Sequence, residues 1–167
     1  SDYEFKLCRL DVAVKKVVKK FAPQFIGRHI SLHIEQIEDS VCTDSKWLGF
    51  IIEQLISNAV KYSKDGGSVR IYTLHGKGDI KKNSKDDSLQ LVIEDTGIGI
   101  NEEDIPRIME RGFTGYNGRL DRKSSGIGLY LCRKAADRLG FVITFDASYK
   151  NGTRVVIDMT QRYTKHE

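Results

Sequence analysis

A chain of 167 residues, 40% hydrophobic and 30% charged, is long enough to bury about 70% of the surface its unfolded form exposes, so one soluble globular domain spanning 1–167 is expected. A formal net charge of +4 does not call for nucleic acid as a partner, and Cys8, Cys42 and Cys132 have no C-x-x-C pair and no histidine at ligand spacing, so reduced cytosolic thiols without metal are expected. No apolar run approaches membrane-spanning length and no signal peptide opens the chain; starting at Ser1 without a methionine, it reads as a piece of a longer protein whose anchors lie outside it.

In chain order, Asp11 is placed to cap a helix in which Val14, Val17, Val18 and Phe21 recur at helical spacing, with Lys15, Lys16, Lys19 and Lys20 on the other side. "HISLHIE" alternates Ile30, Leu32 and Ile34 and predicts a strand, of which His29 and His33 are the polar residues. "TDSKWLGFIIEQLISNAVKYS" predicts the longest helix, capped by Thr43 or Asp44, with Trp47, Ile51, Leu55 and Ala59 as its buried stripe. "KDGGS" is a turn, "VRIYTL" and "LQLVIE" are strands, and "HGKGDIKKNSKDDS" between them is a polar loop whose G-K-G lacks phosphate-loop spacing. "NEEDIPRIME" predicts a short helix, and "RGFTGYNGRLDRKSS" a long segment without periodicity of the kind that serves as a lid. "GIGLYLCRKAADRLG" begins a helix at a glycine and ends it at Gly140, and "FVITFDA" with "TRVVIDM" makes a hairpin around "KNG". This order predicts an α+β fold: a two-layer α/β sandwich, with a mixed sheet and helices on one face.

"LVIEDTGIGI" ends an apolar run in Asp95 and then gives up side chains at Gly97 and Gly99. A tight turn accounts for Asp-x-Gly without any ligand. An aspartic protease uses Asp-Thr-Gly for half of a carboxylate pair, and a nucleotide pocket uses the Asp to read a base while the glycines admit the ligand. The mixture of helices and strands excludes the protease, which is nearly all strand.

Gln54, Asn58 and Lys61 lie at i, i+4 and i+7 of the long helix and share a face. That face is either a helix end turning polar or a site. An amide oxygen suits Mg²⁺, which completes its shell with phosphate and water. Lys61 is one turn on, placed to meet a phosphate, and Tyr62 is placed to lie against a base. Three glycine-bearing segments follow in order. "DTGIG" places a carboxylate that can accept from the exocyclic amine of adenine, where guanine presents a carbonyl. "SSGIGLYL" puts Gly126 and Gly128 at a helix start, where free N–H groups and the positive dipole end suit phosphate. Gly152–Thr153 opens the last strand with a hydroxyl near the base. One G-x-G is a weak signal; the ordered set after the Asn-bearing helix is a strong one.

In these motifs, over roughly Asp11 to Asp158, the chain resembles the catalytic and ATP-binding domain of sensor histidine kinases. These share the Bergerat ATP-binding fold with gyrase, Hsp90 and MutL. "QLISNAVKYS" resembles the N box, "DTGIGI" the first glycine box, "IPRIMERG" with "GFTG" the F-box region, and "SSGIGLYL" the second glycine box. "FIIEQLISNAVKYS" with "ERGFTGYNGR" is most similar to Gram-positive kinases that work with peptide-antibiotic transporters.

The resemblance implies that Asn58 ligates Mg²⁺, Lys61 contacts phosphate, Tyr62 lines the adenine site and Asp95 holds the adenine amine. Gly97, Gly99 and Ile100 would shape the pocket, Gly126, Gly128 and Leu129 would border the phosphates, and Thr153 would close the adenine side. A lid over about 101–125 would carry Arg119, Arg122 and Lys123 toward the γ-phosphate, with Phe113 as its packing anchor. Asn58, Lys61 and Arg119 are the implied catalytic set, and ATP with Mg²⁺ the implied cofactors. The implied partners are a dimeric helical phospho-acceptor domain of the same parent, a response regulator and a peptide-antibiotic transporter. The implied location is a cytoplasmic domain of a membrane-anchored bacterial protein.

Gln54 stands where many members have a second Asn, and Met109 where Phe is frequent. The ATPases of the group place Glu at the Gln54 position, and Gln cannot take a proton from water at neutral pH, so kinase is favoured over ATPase. None of His29, His33, His75 or His166 is followed by the acidic residue and helical pattern of a phospho-acceptor. A serine kinase of the anti-sigma-factor type and a non-catalytic ATP switch are the rival readings on this fold.

Overall fold

The computed structural model describes residues 3–76, 88–113 and 126–160. Its elements are β1 (Lys6–Arg9), α1 (Leu10–Gly27), β2 (Ser31–Ile34), β3 (Ser40–Thr43) and α2 (Ser45–Tyr62). There follow β4 (Ser68–His75), β5 (Leu89–Asp95), a 3-10 helix at Glu102–Arg107, α3 (Ile127–Leu139), β6 (Val142–Phe145) and β7 (Thr153–Asp158). The sheet is mixed, in the order β2-β4-β5-β7-β6. Only the β2–β4 pair is parallel; β4–β5, β5–β7 and β7–β6 are antiparallel. Strand side chains alternate between faces. Val69, Ile71, Leu91, Ile93, Val155 and Ile157 therefore line one face, all at most 4% exposed, and join the buried faces of the three helices in one core.

Two short strands escape the sequence reading. β1 and β3 pair antiparallel as a separate ribbon, in register from Lys6↔Thr43 to Arg9↔Ser40. Four residues each, with Cys8 alone buried in β1, give too little alternation to register as strands.

The helix ends also differ in detail. Asp11 lies in the first turn of α1 rather than at its cap, which is Arg9, and the Arg9 guanidinium pairs with its carboxylate at 2.8 Å. Asp44, not Thr43, caps α2: its Oδ1 accepts from Trp47 N at 3.0 Å and its Oδ2 from Glu4 N at 2.6 Å. The buried face of α2 is wider than one stripe, comprising Leu48, Ile51, Ile52, Leu55, Ile56, Ala59 and Val60. The breadth follows from position, because α2 packs against α1, α3 and β5 at once. Trp47 is only half-buried, stacked on Tyr3 with ring centres 5.4 Å apart.

The far end of α2 is tied down from α1. Arg28 donates to the carbonyls of Val60 and Ser63 and pairs with Asp65 at 2.8 Å, while Ser63 Oγ donates to Ala59 O at 2.5 Å. A guanidinium satisfying the last carbonyls of a helix holds its final turn in place. That turn carries Lys61 and Tyr62.

Candidate functional site

Asp95 ends the central strand β5, flanked in register by Val69 on β4 and Thr153 on β7. It is 5% exposed. Among the described residues both hydrogen bonds to its carboxylate fall on Oδ1, from Gly97 N at 2.9 Å and Thr153 N at 3.2 Å. Burial pushes its pKa up to about 6, more than the two backbone N–H groups hold it down. A carboxylate placed so deep, with its bonds gathered on one oxygen, is poised to accept from something else.

The glycines after it allow the backbones to close. A side chain at Gly97 would collide with the carbonyl of Tyr62, and Ile98 N donates to that same carbonyl at 3.1 Å. On the other side a Cβ at Gly99 would lie 3.1 Å from Gly152 O, and one at Gly152 would overlap the Asp95 carbonyl. The first glycine segment is thus pressed between the end of α2 and the start of β7, with Ile100 beside it, partly buried against the core.

α3 starts at Gly126, which is left-handed at φ 70° and supplies no side-chain cap. A helix start of this kind turns N–H groups and the positive end of the helix dipole toward whatever lies before it. Gly112 N donates to Gly126 O at 3.3 Å, which brings the end of the 101–113 segment to the start of α3. There the Arg107 guanidinium lies 4.6 Å from the centre of the Phe113 ring.

α2 meets α3 through Gln54, whose Oε1 is 2.5 Å from where a Cβ at Gly128 would sit. Because that neighbour is the free end of a flexible side chain, Gly128→Ala is expected to change stability by less than about 1 kcal/mol, measurable by urea unfolding. Gln54 thereby lies against the second glycine segment. Asn58 is half-buried one turn on, and Lys61 is exposed with its ammonium 5.3 Å from the Tyr62 ring centre.

The structure therefore gathers Tyr62, Asp95, Gly97, Gly99 and Thr153 by direct contacts, and Gln54 with Gly128 by another. Leu129 is half-buried at the start of α3. Arg119, Arg122 and Lys123 lie outside the described residues. Thr153 enters through its backbone N–H as well as offering its hydroxyl. Two participants had no sequence signal: Arg28, which fixes the end of α2, and Tyr149, whose hydroxyl donates to Asp95 O at 3.4 Å. Neither stands in a glycine segment, and each acts across a long stretch of chain.

The family described as "Histidine kinase-, DNA gyrase B-, and HSP90-like ATPase" matches residues 43–162. Sensor protein BceS of Bacillus subtilis (strain 168) is 35% identical over 153 residues, which cover 92% of this chain and 43% of that protein. The chain thus spans less than half the length of that relative. Among solved structures, the mycobacterial sensor histidine kinase MprB has a TM-score of 0.76 at 22% identity, covering 92% of this chain and 97% of that one. Histidine kinase ThkA, solved in complex with response regulator protein TrrA, has a TM-score of 0.75 at 20% identity, covering 98% of this chain and 43% of that one. These two share the fold. With its buried carboxylate, its two glycine segments and the helix that faces them, the chain belongs to the histidine kinase-, DNA gyrase B- and HSP90-like ATPase family, as an ATP-binding catalytic domain of the sensor histidine kinase kind.

Proposed function

We propose that this chain holds Mg-ATP and transfers its γ-phosphate to a histidine on a separate, dimeric helical domain of the parent protein. The observation that carries the reading is Asp95, a buried carboxylate at the end of β5 whose Oδ1 is bonded by Gly97 N and Thr153 N. It accepts the adenine amine, while Tyr62 and Ile100 border the base and Gly97 and Gly99 let the backbone approach it. Gly126, Gly128 and Leu129 open α3 toward the phosphates.

The residues present fit the metal: a half-buried amide at Asn58 is a hard oxygen donor one turn from the cation Lys61. Mg²⁺ bound there would neutralise phosphate charge. Asn58 would hold it, Lys61 would meet a phosphate, and Arg119, Arg122 and Lys123 of a lid over about 101–125 would approach the γ-phosphate. Transfer of this kind rests on positioning and charge stabilisation rather than on a covalent protein intermediate. Gln54 beside Gly128 offers no general base for water, which favours transfer over hydrolysis.

The parent would be a membrane-anchored sensor whose cytoplasmic portion includes this domain, passing phosphate to a response regulator and working with a peptide-antibiotic transporter. Among the described residues no helix is long and apolar enough to cross a membrane.

Mixed with the helical domain of its parent and γ-labelled ATP, the chain is expected to put acid-labile label on that domain and none on itself. Transfer in trans will be slow, because separation removes the effective concentration that tethering provides. Acid-stable label on a partner would establish a serine kinase instead. Tight ATP binding with no transfer would establish a switch module. Asn58→Asp is expected to leave the fold intact and weaken Mg-ATP binding at least about tenfold, since it alters the charge and donor pattern at the metal. Titration calorimetry giving wild-type affinity would remove Asn58 from the metal site.

A further inference from the structure

The face of the sheet turned away from the helices carries a polar row that spans three strands. Arg70, Glu94 and Arg154 are direct cross-strand neighbours on β4, β5 and β7, one position from the row Val69, Asp95 and Thr153. Because side chains alternate, this row points opposite to the core. Glu94 is nevertheless 6% exposed. Its Oε2 accepts from Tyr72 Oη at 2.6 Å and from Arg154 Nε at 2.5 Å, and Arg70 Nη1 lies 3.8 Å from Oε1.

Arg154 also reaches the β6–β7 turn. Its Nη1 donates to Asp146 Oδ2 at 3.1 Å, and Asp146 Oδ1 in turn accepts from the N–H and hydroxyl of Ser148 at 2.9 and 2.6 Å. The guanidinium lies 4.3 Å from the centre of the Tyr149 ring, and the Tyr149 hydroxyl donates to the carbonyl of Asp95 at 3.4 Å. The contacts thus run from Glu94 through Arg154 and Tyr149 back to the residue next to Glu94. They form a closed loop around the strand end.

We infer that Glu94, Arg154 and Tyr149 are positioning residues that hold the Asp95 carboxylate and the Thr153 N–H in the register base discrimination needs. The inference rests on the reading of Asp95 as the acceptor of the adenine amine. Glu94 and Arg154 lock β5 to β7 where Thr153 bonds Asp95 Oδ1, and Tyr149, packed on Arg154, holds the main-chain carbonyl of Asp95. A buried acceptor rejects the wrong base only if it cannot move to accommodate it, so restraint on Asp95 appears as selectivity. A purely structural network would affect stability and leave the ratio of ATP to GTP affinity alone.

The test measures ATP and GTP affinities of the 167-residue chain by calorimetry, with folding checked by circular dichroism. Tyr149→Phe, which removes one hydroxyl, is expected to lower the ATP:GTP affinity ratio about threefold. The double variant Glu94→Gln with Arg154→Met leaves no unpaired buried charge and is expected to lower the ratio about tenfold. Arg154→Lys should restore part of it, since lysine can pair with Glu94 but cannot also fork to Asp146. In an Asp95→Ala background, which removes the side chain that reads the base, Tyr149→Phe should leave the ratio unmoved.

An unchanged ratio in the folded variants overturns the inference and leaves the Asp95 reading standing. So does an equal effect of Tyr149→Phe in both backgrounds. A wild-type chain that binds ATP and GTP equally overturns the Asp95 reading and the inference with it.

Discussion

Asp95→Asn is expected to make the nucleotide-free chain more stable above pH 6 while lowering its affinity for ATP about 100-fold or more. Burial raises the carboxyl from its ordinary 3.8 to about 6, so the folded state binds its proton more tightly than the unfolded chain does. Between these values folding takes up a proton. Stability then falls as pH rises through that window, and the full cost, on the order of 3 kcal/mol, is present above pH 6. Asparagine removes the cost. Its Oδ1 can still accept from Gly97 and Thr153, so the backbone has no reason to move.

The same substitution puts an amide donor where the adenine amine must donate, and two donors cannot pair. In the wild-type chain, ATP affinity should fall about tenfold per pH unit below 6, as the proton on Asp95 competes with the amine. Urea midpoints from pH 4 to 8 and calorimetry over the same range check both halves. A variant no more stable than wild type at pH 8, or one that binds ATP normally, would contradict the expectation.

Gly152→Ala is expected to destabilise the chain by at least about 3 kcal/mol and to abolish measurable nucleotide binding. A Cβ there would overlap the Asp95 carbonyl and come within 2.8 Å of Gly97 N, and φ is +153°, a conformation L residues rarely adopt. Both neighbours are backbone in the middle of the sheet's end, so neither can swing aside. The turn must open, and the Thr153 N–H to Asp95 bond opens with it. Gly128→Ala is the control, since its added methyl meets only the tip of Gln54. Urea denaturation of the two variants should differ by several-fold in ΔΔG, and similar values would show that the turn can relax.

Apart from β1 and β3, the order of elements, the mixed sheet with helices on one face and the glycine segments were legible in the sequence, because each is a local signal. Period and capping residues identify α1, α2 and α3 even though the cap of α1 is Arg9 and that of α2 is Asp44 rather than Thr43. Asp-Thr-Gly-x-Gly after an apolar run announces a strand end with backbone approaching something. Left to the residues alone, however, that junction remains open between a turn and a base reader, and the order of the glycine segments after the Asn-bearing helix is what tips it.

What only the tertiary structure decided lies in contacts between residues far apart in the chain. Asp95 and Thr153 are 58 positions apart, and their bond depends on β7 lying beside β5 although β6 precedes it. β1 and β3 owe their pairing to each other and not to any pattern within either. The raised pKa of Asp95 comes from burial, which no local composition announces. Glu94 and Arg154 would read from the sequence as ordinary charged strand residues facing water. Their pairing 60 residues apart on the outer face is set by register, which sequence periodicity cannot supply because it says which face a residue takes and not what stands across from it.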